Sequence, residues 1–210
     1  MKSQSVNTGW LDQLDKWLTP VMANLLWVAL SLPLITLPAA TAALFATMFY
    51  WMYGKQPEMF SQFFVTMRRC WLRSSLVVVL DLLVCGLIVV NLLIFQMMDM
   101  THVLAFLSRS ATVFVGLLLV LVNVYVWPLL AVWDVPLRQI LSFALQLVFA
   151  HPLWSIGVAL ATLVPPIIAS VLLLPAAVML FGGVSCSAYI ACWGTWQVAR
   201  RYLSAGDLSF

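Results

Sequence analysis

Charge is scarce in this chain. Of 210 residues, 8% are Asp, Glu, Lys or Arg, whereas a soluble domain carries about a quarter, so a water-exposed globular surface is excluded over most of its length. Histidine is rarer still, with His102 and His151 alone, and the four cysteines Cys70, Cys85, Cys186 and Cys192 share no metal-ligand spacing. No metal centre is written in such a pattern, and the cysteines read as small apolar packing residues, three of them inside predicted spans. Glycine, at 9 residues, builds no phosphate-cradling loop, and no serine is placed with a histidine and a carboxylate that would activate it. These absences predict neither an enzyme nor a bound metal or cofactor.

What is present is apolar surface: 64% of the chain, with a mean hydropathy of +1.06. No charged residue falls between Trp17 and Gly54 or between Gln139 and Ala199, and each stretch accommodates two crossings at about 20 residues per crossing. The expected fold is therefore all-α, a polytopic transmembrane helical bundle of about six spans. Apolar runs and helix breakers place these spans near 18–32, 39–53, 74–96, 109–131, 152–173 and 175–199. They pair as three hairpins. The first two are short, and the apolar turn Pro33-Leu-Ile-Thr-Leu-Pro38 joining them is expected to sit in the membrane under the shelter of other helices, partly re-entrant or fully crossing.

The basic residues then sort by side. Lys2, Lys16, Lys55, Arg68, Arg69, Arg73, Arg138, Arg200 and Arg201 fall on one face and Arg109 on the other, where Asp99 and His102 share its loop. The positive-inside rule assigns the richer face, and both termini, to the cytoplasm. A single integral membrane domain covers 1–210, with a short cytoplasmic segment 1–17 and a tail 200–210. Asp12, Asp15 and Lys16 interrupt the start of the chain, so no signal-peptide core is expected there. Basic residues strung along a membrane edge do not indicate nucleic-acid binding.

Each hairpin is preceded by an amphipathic stretch expected to lie along the interface. In the first, Trp10, Leu11, Leu14, Trp17 and Leu18 oppose Asp12, Gln13, Asp15 and Lys16. The second covers 57–70 and the third 138–150. The second and third units also align without gaps, Phe60 with Phe143, Arg68 with His151 and Trp71 with Trp154, a pattern consistent either with a weak parallel repeat or with the common furnishing of membrane interfaces.

Asp81 is the one ionisable residue placed well inside a span, and a carboxylate there needs a partner, a proton or water. By depth along antiparallel helices Asn24, Thr47 and Asn123 reach a similar level, giving a candidate polar layer of Asn24, Thr47, Asp81 and Asn123. Two readings stand: a proton, cation or ligand site in a cavity shared by the first four helices, or interhelical glue. The lack of a second buried charge favours glue. Pro165 and Pro166 are expected to kink the fifth span. Gly182, Gly183, Ser187 and Ala191 offer a small-residue packing face on the sixth. Trp127, Trp133, Trp193, Trp196, Tyr53 and Trp71 read as interfacial anchors.

Asn24-Leu-Leu-Trp27, Ser31-Leu-Pro-Leu-Ile-Thr36 and Pro38-Ala-Ala-Thr-Ala-Ala-Leu44, with the later Tyr125-Val-Trp-Pro-Leu-Leu130 and Ala150-His-Pro-Leu153, resemble the YesL-like family of bacterial membrane proteins over most of residues 14–200. The resemblance implies a shared structural hairpin containing Asn24, Trp27, Thr36 and Thr41. It also implies the bacterial cytoplasmic (inner) membrane and an association with carbohydrate uptake, and it brings no catalytic or binding residues. The expected function is an accessory or regulatory membrane subunit in the lipid bilayer beside carbohydrate ABC importer permeases or another membrane complex. The alternative is a small secondary transporter or channel using Asp81. The segment 134–150 lacks the Glu-Ala-Ala and downstream Gly pattern of importer permeases, so direct contact with a soluble ATPase is not expected.

Overall fold

The computed structural model describes residues 9–54, 59–96, 103–171 and 182–202. These form seven α-helices and no strand: α1 (Gly9–Ser31), α2 (Leu37–Met52), α3 (Met59–Gln96), α4 (Val103–Val132), α5 (Leu137–Ala150), α6 (Pro152–Val171) and α7 (Val184–Ala199). Asp99, His102, Lys2 and Lys55 lie outside the described residues.

The centre of the molecule is α2. Its alanines favour a helix and are small enough for neighbours to come close from several sides. Ala39, Ala40, Ala42, Ala43 and Ala46 are all buried, and α1, α3, α4 and α7 pack around them. Pro38 sits in its first turn, where the missing N–H removes no helical bond. The preceding turn is closed by Thr36, whose N–H and hydroxyl both donate to the Pro33 carbonyl, at 2.8 and 2.7 Å. The turn is not sheltered by other helices, contrary to expectation: Leu32, Leu34 and Ile35 are 80%, 81% and 72% exposed. Five residues of chain between two packed helices leave them no interior to enter.

Six spans in three hairpins are not what the helix lengths give. Among the described residues, Phe60–Ile94 of α3 and Phe106–Val132 of α4 are long and apolar enough to cross a membrane, and the bent pair Leu137–Ala150 and Pro152–Ile168 makes a third if counted as one span. The apolar stretches Leu18–Ser31 and Leu37–Met52 are shorter. The residues joining α6 to α7, where the fifth and sixth expected spans meet, lie outside the described residues.

The expected interfacial segments also differ in kind. Only the third is a helix apart: α5 turns through 107° into α6. The first runs on within α1, and the second within the 38-residue α3. Nothing between Cys70 and Ser74 breaks a helix, since Trp71, Leu72 and Arg73 all tolerate helical backbone, so the ladder continues through the expected boundary.

Two clusters of buried side chains meet across α2 and α4. One gathers α4 with α5 through Tyr125, Leu129, Ile140, Ala144 and Leu147. The other gathers α1, α2 and α7 through Ala23, Leu44, Met48, Ala188 and Cys192. At the α3–α4 end of the first cluster the Arg69 guanidinium donates to the Ala131 carbonyl at 2.9 Å, and Arg73 pairs with Asp134 at 2.6 Å. Both place positive charge at the C-terminal end of α4, where the helix dipole favours it.

Candidate functional site

Asp81 and Asn123 meet. The Asn123 amide donates to Asp81 Oδ1 at 2.9 Å and to the Leu119 carbonyl one turn back at 3.1 Å. The Trp127 indole N–H then donates to Asn123 Oδ1 at 3.0 Å. Helical spacing explains this relay: Leu119, Asn123 and Trp127 are four apart on α4, so their side chains stack on one face opposite α3.

The relay borders an open cavity of about 420 Å³ between α3, α4, α6 and α7, with Phe45 of α2 in its wall. Asp81 and Cys85 face it from α3, one turn apart. Asn123, Trp127, Leu119, Val120 and Val124 face it from α4, Thr162 from α6, and Val184, Ser187, Ala188 and Ala191 from α7. The Phe45 and Trp127 rings stack at 6.3 Å and 18°. Asp81 makes no ion pair with a described residue.

The rest of the expected layer is elsewhere. Asn24 accepts from the Ser185 N–H and hydroxyl at 3.2 and 3.3 Å, and the same hydroxyl donates to the Pro20 carbonyl at 2.8 Å. This ties α1 to α7 in a fully buried contact. Thr47 donates to the Ala43 carbonyl of its own helix at 2.9 Å, so it satisfies itself and joins no layer. The small-residue face divides as well. Ser187 and Ala191 line the cavity, the Ser187 hydroxyl donates to the Gly183 carbonyl at 3.2 Å, and Gly182 has φ +150°. The tight approach of α6 to α7 falls instead at Gly194, where a Cβ would lie 2.5 Å from Val158 Cγ2.

Trp127, taken from sequence as an interfacial anchor, is a member of the site. Its spacing from Asn123 was the available signal, just as Cys85 stands one turn beyond Asp81. Of the cysteines, Cys70 and Cys192 are buried and pack as expected, while Cys85 and Cys186 are exposed. A second polar contact between α3 and α4 was also missed: Asn91 donates to Thr112 and, at 3.4 Å, to Ser108. Among the described residues no three His, Cys, Asp or Glu side chains gather to hold a metal ion.

Residues 21–92 match the family described as "Protein of unknown function, DUF624". The chain is also 31% identical over 137 residues to a Bacillus subtilis (strain 168) protein described as "Uncharacterized protein YesL", a stretch covering 61% of each. The chain is thus similar to that protein over part of its length. The matched stretch spans about three fifths of that relative's length. No solved structure matches the chain. The DUF624 match includes Asn24, Thr47, Phe45, Asp81 and Cys85, whereas Asn123, Trp127 and the α6 and α7 walls of the cavity lie beyond its end. The site is thus assembled from residues inside the matched stretch and residues beyond it.

Proposed function

We propose that the protein holds a small solute within the bacterial cytoplasmic membrane, as a small secondary transporter or channel in which Asp81 is the coupling residue. The observation that carries this reading is the open cavity reaching the Asp81 carboxylate. A carboxylate facing hydrocarbon in a span costs about 2.5–3.5 kcal/mol or more, so a cavity that reaches Asp81 is expected to hold water or a polar solute. In this reading the chain is multi-pass with both termini in the cytoplasm, supported by the bias of Lys and Arg along the sequence. It has no catalytic activity of its own, since the sequence supplies no activated nucleophile or phosphate-binding loop.

The accessory-subunit reading, beside a carbohydrate importer or another membrane complex, draws on the YesL-like resemblance. The second half of α3 exposes Leu82, Leu83, Leu87, Val89, Val90 and Leu93, an apolar surface on which a partner's span could replace lipid. Co-purification from the native membrane in mild detergent separates the two readings. Stoichiometric importer permeases support the accessory role, and the chain alone supports the transporter.

Cys85 tests the cavity directly. A thiol reacts as its thiolate, which forms in water and not in hydrocarbon. In a Cys186→Ser background a water-soluble methanethiosulfonate is expected to modify Cys85 in vesicles. A cysteine replacing Leu83, 61% exposed but not facing the cavity, is expected to stay unmodified in a Cys85→Ser, Cys186→Ser chain. An inert Cys85 in the folded protein defeats the solute-site reading.

A further inference from the structure

We propose that the cavity beside Asp81 takes a small amphipathic amine, a protonated ammonium group carried on an apolar body, with the ammonium on the free carboxylate oxygen and the body against Phe45, Trp127 and the α7 wall. This rests on the solute-site reading and names the class of solute.

The argument is an inventory of donors and acceptors. Of the polar side chains around the cavity, the Asn123 amide is spent on Asp81 Oδ1 and the Leu119 carbonyl, and the Trp127 N–H on Asn123 Oδ1. The Thr162 hydroxyl donates to the Ala159 carbonyl at 2.7 Å and the Ser187 hydroxyl to the Gly183 carbonyl at 3.2 Å. No strong side-chain donor is left over among the described residues. What remains are acceptors: spare lone pairs on the Thr162, Ser187 and Asn123 oxygens and, the one anionic group, the Asp81 carboxylate, whose Oδ2 has no donor among the described residues and is not a sealed orphan atom.

A site with a spare anionic acceptor and no spare donor selects its ligand. An anion would meet the Asp81 carboxylate with nothing to offset it. A sugar would bring several hydroxyls into mostly apolar walls with few acceptors and no spare donor for their oxygens, at about 1–3 kcal/mol for each unmet group. An ammonium group carries donors only. It forms a charge-assisted hydrogen bond to a carboxylate and supplies the counter-charge that no described residue gives Asp81. The stacked Phe45 and Trp127 rings add aromatic surface that attracts a cation and packs an apolar body. A cavity of about 420 Å³ lies in the ordinary range for small-ligand sites.

The test measures protection of Cys85 in the purified full chain carrying Cys186→Ser. The rate of methanethiosulfonate modification is followed with 2-phenylethylammonium, with its near-isostere 2-phenylethanol, or with methyl glucoside. The ammonium is expected to protect at concentrations about tenfold or more below those needed by the alcohol, the factor belonging to one charge-assisted bond. The glucoside is expected not to protect. Asp81→Asn should abolish the preference for the ammonium and Asp81→Glu should retain it, with monodisperse size-exclusion profiles as the folding control. If Asp81→Asn does not fold, the ammonium–alcohol comparison on the chain with Asp81 intact decides alone. Equal protection by the alcohol, protection by the glucoside, or an ammonium preference surviving in Asp81→Asn overturns the amine assignment and leaves the solute site standing. A Cys85 that never reacts overturns both.

Discussion

α3 and the α5–α6 pair share three aligned residues and end as different objects. Phe60, Arg68 and Trp71 align with Phe143, His151 and Trp154, yet the first set lies on one unbroken 38-residue helix and the second straddles a 107° turn. Continuing the same alignment sets Arg69 opposite Pro152. Arg69 keeps its backbone N–H, and its side chain reaches across to Ala131. Pro152 has no N–H and disfavours helical backbone at the residue before it. His151 accordingly takes φ −136° and ψ 60°, and α6 begins afresh. Its start is braced by Ser155, whose N–H and hydroxyl donate to the His151 carbonyl at 3.0 and 2.9 Å, while the hydroxyl also meets the buried Tyr125 hydroxyl at 2.7 Å. The turn lets α5 lay Ile140, Ala144, Leu147 and Val148 into the core beside α4.

Proline is not the whole explanation. Pro20, Pro128, Pro165 and Pro166 all sit inside helices here. At Pro128 the lost bond would leave the Val124 carbonyl without its donor, and the Thr195 hydroxyl of α7 donates to that carbonyl at 3.3 Å. A span tolerates a proline where a neighbour re-satisfies the freed group. Helix α6 likewise runs through Pro165 and Pro166 without unwinding.

Three changes break or sharpen this comparison. The largest effect belongs to Arg69→Pro, which removes both the N–H inside α3 and the bond to Ala131. A loss of about 3 kcal/mol or more is expected, read as a lowered unfolding midpoint in detergent. Spin-label distances across residue 69 should shorten if α3 acquires the turn of its counterpart. Next, Gly194→Ala forces a Cβ into Val158 of α6 and is expected to destabilise by about 1–3 kcal/mol. Gly86→Ala on α3, with nothing within 4 Å, should instead be neutral or stabilising by up to about 1 kcal/mol. Equal effects at the two glycines would refute the packing difference between the two units. The smallest is Thr195→Val, expected to cost about 1 kcal/mol by removing the donor at Val124. In a Pro128→Ala background, where the helix supplies its own donor, that cost should shrink, and a double-mutant cycle reads the difference.

Much of the helix content was legible because it follows from composition: apolar runs without charge form helices wherever the backbone must satisfy itself. The Asp81–Asn123 pairing was legible in part from depth counting along antiparallel helices. Depth does not fix azimuth, however, and it grouped Asn24 and Thr47 with them although Asn24 faces Ser185 and Thr47 turns back on its own helix. Trp127 was misplaced because a tryptophan near a span end has two common fates, anchoring at the interface or bonding inward to Asn123, and its neighbours in space choose between them.

The sequence by itself determined a helical membrane protein, the breaks at Pro33–Pro38 and at His151–Pro152, and a single carboxylate within a span. These are local or compositional properties, set by the solvation of apolar side chains and by which residues can hold helical backbone. Only the tertiary structure decided that α2 is the buried centre and that Ser187, Ala191 and Asp81 line one cavity. Each of these depends on how helices rotate about their axes and which small residues let them approach, and packing across the whole molecule settles that.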